Sequence, residues 1–260
     1  MGQGIFRKLI GIVLIFVLSV GIYAFFYSQT TPSRDTPWAK HGILDLSAWD
    51  FRNNGVVNLD GQWEFYEGEL LAPSDFQQGT RSEVSYFNVP GTWKGKHENG
   101  GMNRTGFGTY RLKVKVGEGN EIFGMKIRSV RMSHTLYVNG QVEGSSGSPT
   151  TVEEAHLPGN TPYIALFHVS NGEVEIIIQV ANYEFVTGGI VNSIQFGLHS
   201  DIARVEGIQI GTDIAAVLVL AMFGAYHLSF YFLRGRERTY LYSGIYLFSL
   251  MVGQLLFGRK

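Results

Sequence analysis

The chain has 260 residues, no cysteine, and 21 basic against 22 acidic side chains, a formal net charge of −1. Without cysteine there is no disulfide framework, no thiolate metal site and no thiol nucleophile. The balanced charge and the lack of a basic stripe argue against nucleic acid as a partner.

In chain order, Arg7 and Lys8 precede an uncharged run from Leu9 to Tyr27. A positive flank before an apolar stretch of membrane-spanning length predicts a signal peptide or a retained N-terminal membrane anchor over residues 1–30. Both alternatives export the residues beyond it. Residues 31–43, with Pro32, Pro37 and many polar side chains, read as a linker.

Residues 44–200 read as one exported domain rich in strands. Strand-like runs are expected at Val57–Tyr66, Thr109–Val116, Phe123–Val130, Thr135–Val142, Val174–Val180 and Ile190–Leu198. In the second run Tyr110, Leu112, Val114 and Val116 alternate with Arg111, Lys113 and Lys115. That period of two buries one face and wets the other. Asn139-Gly140 between strand residues is a hairpin signal, because type I′ turns need positive φ at both central positions. Many short strands with Gly-rich turns and no long helical pattern predict an all-β jelly-roll sandwich. Trp63, Phe65 and Tyr66 are expected in its core.

Residues 201–211 form a short junction without proline. Residues 212–260 then hold two apolar segments, Thr212–Leu233 and Tyr240–Phe257, separated by Arg234, Arg236 and Arg238. The positive-inside rule puts those arginines in the cytoplasm, the side also assigned to Arg7 and Lys8. The fold class is therefore a jelly-roll sandwich exported between an N-terminal apolar helix and a C-terminal transmembrane hairpin, at a bacterial cell membrane. Residues 31–211 are then extracellular or periplasmic. His227, an ionisable group inside a membrane segment, is either functional or a neutral imidazole bonded to the neighbouring helix.

Five phrases in order carry a resemblance: VNLDGQWEFYEGELL from Val57, VPGTWKG from Val89, GTYRLKV from Gly108, LYVNGQ from Leu136 and IIIQVANYEFVTGG from Ile176. Over Leu44–Leu198 they resemble the galactose-binding-like jelly roll at the N-terminus of family-two glycoside hydrolases. Joined to membrane helices, they look more like the outer module of bacterial seven-transmembrane receptors with diverse intracellular signalling modules. That resemblance implies a small carbohydrate-like ligand outside, five further helices, and a kinase, cyclase or phosphatase in the cytoplasm. It makes the hairpin the start of a truncated membrane region. A homodimer is left open. No cofactor is implied, with a structural calcium as an open alternative.

Sugars need an aromatic ring to stack on and planar polar groups for their hydroxyls, usually on loops. The loop Thr92–Phe107 supplies Trp93, Lys94, His97, Asn99 and Arg104, and the stretch Asn182–Gly189 supplies Tyr183 and Glu184. These seven are the expected ligand-binding residues. The alternative for Trp93 is a plug closing the sandwich end. Gly144–Thr161, with Glu153, Glu154 and His156, reads as a lid or an ordinary surface loop. Glu153-Glu154-Ala155-His156 lacks the paired histidines of a zinc protease, and Gly144-Ser145-Ser146-Gly147 is one residue short of a nucleophile elbow. Glu64, Glu67 and Glu69 sit too close together for a glycosidase carboxylate pair. The chain is accordingly expected not to be an enzyme, any kinase or cyclase lying beyond residue 260. The leading reading is the sensory input half of a receptor. The alternatives are a membrane-tethered carbohydrate-binding or adhesion module, and a glycosidase fragment without its catalytic part.

Overall fold

The computed structural model describes residues 36–77, 84–93, 104–234 and 237–258, together with Gly21, Ala24, Phe25 and Ser28. The remaining N-terminal residues, and Lys94, His97 and Asn99, lie outside the described residues. The chain divides into a β-rich unit, Pro32–Ile202, and a helical unit that includes Ala203–Arg259.

In the β-rich unit the elements run β1 (Ile43–Leu46), α1 (Phe51–Asn54), β2 (Val57–Asn58), β3 (Gly61–Glu67), α2 (Pro73–Gln77), β4 (Ser85–Val89), β5 (Gly106–Val116), β6 (Glu121–Ile127), β7 (Val130–Arg131), β8 (Ser133–Val138), β9 (Gln141–Ser146), β10 (Tyr163–Val169), β11 (Glu173–Asn182), β12 (Gly189–Ile190) and β13 (Gln195–Leu198). A seven-stranded sheet has the order β4-β3-β5-β11-β8-β9, with β1 parallel to the far half of β5. A four-stranded sheet has the order β10-β6-β13-β2, and β12 pairs with β7. Apart from β1 with β5, the strand pairs are antiparallel.

One buried cluster joins the two larger sheets, which makes the unit a sandwich. Leu112, Val114, Ile176 and Ile178 of the first sheet share it with Phe123, Met125, Phe167 and Phe196 of the second. Each such side chain contributes about 1.5–3 kcal/mol on burial. Trp63 and Phe65 point into this core, and the Trp63 indole N–H is satisfied by the Leu59 carbonyl at 2.9 Å. Tyr66, one residue on, faces the other way and packs outside the sheet with Phe76 and Ile177. Its hydroxyl donates to Glu64, and burial pushes its pKa up to about 12.

Strand alternation also points Arg111 outward, yet its side chain is only 9% exposed. Glu64 and Glu175 bracket the guanidinium, and the Phe76 ring lies 4.6 Å from it. Charge pairing, not exposure, satisfies this wet-face position. At the β8–β9 turn Asn139 and Gly140 adopt φ of 48° and 86°, the turn expected from the sequence. The expected run Ile190–Leu198 is interrupted: β12 and β13 belong to different sheets. Strands β1, β4 and β10, unforeseen in the sequence, complete the pairing.

In the helical unit, α3 (His199–Leu233) and α4 (Arg238–Phe257) are long and apolar enough to cross a membrane. The stretch read as a junction is the first part of α3, not a separate connector. A Cβ on Gly244 would lie 2.8 Å from Leu228, and one on Gly224 would lie 2.9 Å from the Phe248 ring. Small residues thus permit the close approach of the two helices. Gln254 Nε2 donates to Asp213 Oδ1 at 3.4 Å between the two helices. His227 lies beside Tyr240 of α4, ring centroids 6.2 Å apart, and its buried Nδ1 has no hydrogen-bond partner among the described residues.

Candidate functional site

The antiparallel registers bring the three suspected loops to one end of the sandwich. Asn182, the last residue of β11, pairs with Gly106 at the start of β5, and Ala181 pairs with Ser133 at the start of β8. His134 in turn pairs with Ser146, the last residue of β9. The strand ends from which these loops leave therefore lie side by side, whatever their separation in sequence.

Asn182 ties them together. It is fully buried, donates through Nδ2 to the carbonyls of Arg104 (2.8 Å) and Phe185 (3.0 Å), and accepts from the Phe185 N–H. The Tyr183 hydroxyl donates to the Thr150 carbonyl at 3.0 Å, and the Tyr183 ring meets the His156 ring edge-on at 5.2 Å. Partial burial together with Glu153 and Glu154 raises the Tyr183 pKa, so the phenol keeps its proton as a donor. His156 is buried, with Nε2 2.8 Å from Ser133 Oγ and Nδ1 4.0 Å from the exposed Glu184 carboxylate. Ser133 Oγ also lies 3.2 Å from the Ala181 carbonyl, so the hydroxyl bridges the imidazole and the β11 backbone.

Trp93 has a packing role here. Its side chain is fully buried, its backbone N–H donates to the Gly188 carbonyl at 3.0 Å, and its indole N–H donates to the Tyr110 hydroxyl at 2.7 Å. A Cβ on Gly188 would come within 2.2 Å of the indole ring, so that position requires glycine. The ring is the plug of the sandwich end and offers no free face to a ligand.

The exposed aromatic at this end is Phe185, 41% exposed, with the Arg131 guanidinium 4.5 Å above one ring face. Neither residue was singled out in the sequence. Phe185 sat in view within the NYEFVTGG phrase, but Arg131 carried no local signal. Arg104 and Glu184 are exposed, and Tyr183 is half-buried. An aromatic face, the Arg131 guanidinium, a carboxylate and a phenol are therefore gathered from distant segments, with the Arg104 backbone beside them. Such a set can stack a flat apolar face and hydrogen-bond a ring of hydroxyls.

A calcium fits less well. Among the described residues no group of three or more His, Cys, Asp or Glu side chains is placed to hold a metal. The Oδ1 atoms of Asn58 and Asp60 are buried without hydrogen-bond partners, burial raises the Asp60 pKa, and Ser193 donates to the other Asp60 oxygen at 3.1 Å. Calcium takes about six to eight oxygens. These side chains alone do not make the structural site that the resemblance allowed.

No protein-family model matches the chain, and no curated protein does. Among the solved structures that align with part of the chain are glycoside hydrolases. A family-two β-galacturonidase from Eisenbergiella tayi, bound to galacturonate, is 16% identical over 55% of this chain and 24% of its own, with a TM-score of 0.38. A Ruminococcus gnavus β-glucuronidase is 15% identical over 55% of this chain and 28% of its own, with a TM-score of 0.42. A putative β-galactosidase from Bacteroides fragilis is 20% identical over 54% and 22%, with a TM-score of 0.39. The chain spans about a quarter of the length of these enzymes. Family two, named in the sequence resemblance, is the family of the first of these enzymes. They also correct one expectation: the chain was expected not to be an enzyme, its structural neighbours are glycosidases, and that exclusion is withdrawn.

Proposed function

We propose that this chain is the sensory input half of a bacterial membrane receptor, with a small carbohydrate-like ligand taken at the loop end of the sandwich. The supporting observation is the chain path. The last strand ends at Leu198, and the 35-residue α3, apolar enough to cross a membrane, begins at the next residue. In the chain, α3 follows β13 with no intervening residue. A ligand shifts such a helix only through its different affinity for two states of the β-rich unit. Tyr183, Glu184 and Arg104 form the proposed contact set with Phe185 and Arg131, while Lys94, His97 and Asn99 remain proposed contributors from the adjoining loop. Trp93 acts through packing. The cytoplasmic effector belongs to the same proposal.

The test is a thermal-shift screen of the full chain in polyoxyethylene-ether micelles against neutral sugars, uronic acids and polyols. A ligand at 100 times its dissociation constant adds about 2.7 kcal/mol to stability. A selective shift that disappears in Phe185→Ala supports the reading. Silence across all three classes removes the carbohydrate assignment.

A further inference from the structure

The opposite end of the sandwich holds a second feature. A cleft of about 180 Å³ lies where β5 ends and β6 begins, between the Trp49–Arg52 turn and the Gly117–Glu121 loop. It is separated from the Asn182 cluster by the length of β5, whose 11 residues extend roughly 35 Å. The cleft has room for about six water molecules.

Its apolar wall is aromatic and held in place. The Trp49 indole N–H donates to the Gly55 carbonyl at 3.2 Å, which fixes the ring. Phe51 meets Phe123 edge-on at 5.1 Å, and Phe123 stacks on Phe196 at 4.9 Å. The polar rim is acidic, with Asp50, Glu118 and Glu121 facing a single guanidinium, Arg52. Arg52 pairs with Glu121 at 2.8 Å, and Asp50 is engaged in capping α1. The Asn53 side chain and the Asn53 and Arg52 backbone N–H groups hold the Asp50 carboxyl below its usual range, so that charge persists. Glu118 is exposed and makes no hydrogen bond or ion pair among the described residues.

A fixed, half-buried indole beside an excess of carboxylate selects one chemistry, with Phe51 and Phe123 as the buried core behind it. Anions are repelled, and a neutral apolar ligand gains nothing from the acidic rim. An organic cation gains from both, through the Trp49 ring quadrupole and the unpaired carboxylate. We propose that this cleft is a binding site for a small organic ammonium group. The site rests on neither the signalling reading nor the loop-end ligand. Leu198, the residue before α3, is part of the lining, so an occupant touches the strand from which that helix departs.

The test titrates choline into the full chain in polyoxyethylene-ether micelles, which contain no ammonium, with 3,3-dimethylbutan-1-ol as the uncharged isostere. Isothermal titration calorimetry is expected to show saturable choline binding and at least tenfold weaker binding of the alcohol. Affinity is expected to fall at least tenfold in Trp49→Ala and about threefold in Glu118→Gln. Glu118 is exposed, so its variant keeps the comparison open if Trp49→Ala fails to fold. No saturable choline binding, equal binding of the isostere, or unchanged affinity in Glu118→Gln overturns the proposal. None of these arms involves Phe185 or a sugar, so this proposal and the loop-end reading fail separately.

Discussion

Replacing Trp93 with alanine separates packing from recognition at the loop end. The indole is fully buried, lies 6.2 Å from the Phe65 ring and donates to the Tyr110 hydroxyl, which is itself fully buried. Truncating a core tryptophan costs about 3–5 kcal/mol. Stripping a buried hydroxyl of its partner adds about 1–3 kcal/mol. The total loss is at least ~4 kcal/mol, and for a domain of this size each kcal/mol moves the melting temperature by roughly 2–4 °C. Trp93→Ala should therefore lower Tm by at least ~8 °C, monitored by far-UV circular dichroism because the variant removes a fluorophore. Phe185→Ala, at a position 41% exposed with one cation–π contact, should change stability by no more than ~1 kcal/mol. A Trp93→Ala shift under 2 °C would refute the plug, since a residue so placed cannot be removed without a cavity.

Buried polar groups lead to two further expected outcomes. His134 stacks on Tyr163, with Nε2 3.0 Å from the Tyr163 hydroxyl, and burial lowers its pKa from 6.5 to about 4. Between those values the unfolded chain binds a proton that the folded chain refuses. Its contribution is therefore complete above pH 6.5 and is lost as pH falls towards 4, about 3 kcal/mol in all. His134→Gln should flatten the pH dependence of Tm between pH 7 and 4, and parallel wild-type and variant curves would count against the burial argument. Arg111→Met leaves Glu64 and Glu175 facing each other without their shared cation. Breaking a buried pair costs about 3–5 kcal/mol, and the partial exposure of the carboxylates puts this case near ~3 kcal/mol. Denaturant midpoints should show the loss and its partial recovery in Arg111→Met/Glu64→Gln; a loss under 0.5 kcal/mol would mean water already screens the network.

Much of the β5 strand and the β8–β9 hairpin was legible in the sequence, because alternation and turn chemistry act between near neighbours. Tyr110, Leu112 and Val114 announce a buried face, and Asn139-Gly140 announces a turn. Arg111 was misjudged as a wet-face residue, since its burial comes from Glu64 and Glu175, 47 and 64 residues away. The break between β12 and β13 was equally hidden, because an apolar run does not say which sheet receives it.

The candidate site shows the same division. Its loops were identifiable from glycine, aromatic and charged residues, but their meeting was not. Asn182 reaches Arg104 across 78 residues, and Tyr183 reaches Thr150 across 33. Trp93 looked the same in sequence as platform or plug; only the Tyr110 hydroxyl and the space left by Gly188 decided for the plug. By itself the sequence determined the alternating strand β5, the turn at Asn139-Gly140 and the two segments apolar enough to cross a membrane, since each depends on local periodicity or length. Only the tertiary structure decided which charges are buried, which rings are exposed and which loops share an end, because those depend on strand register between residues far apart in the chain.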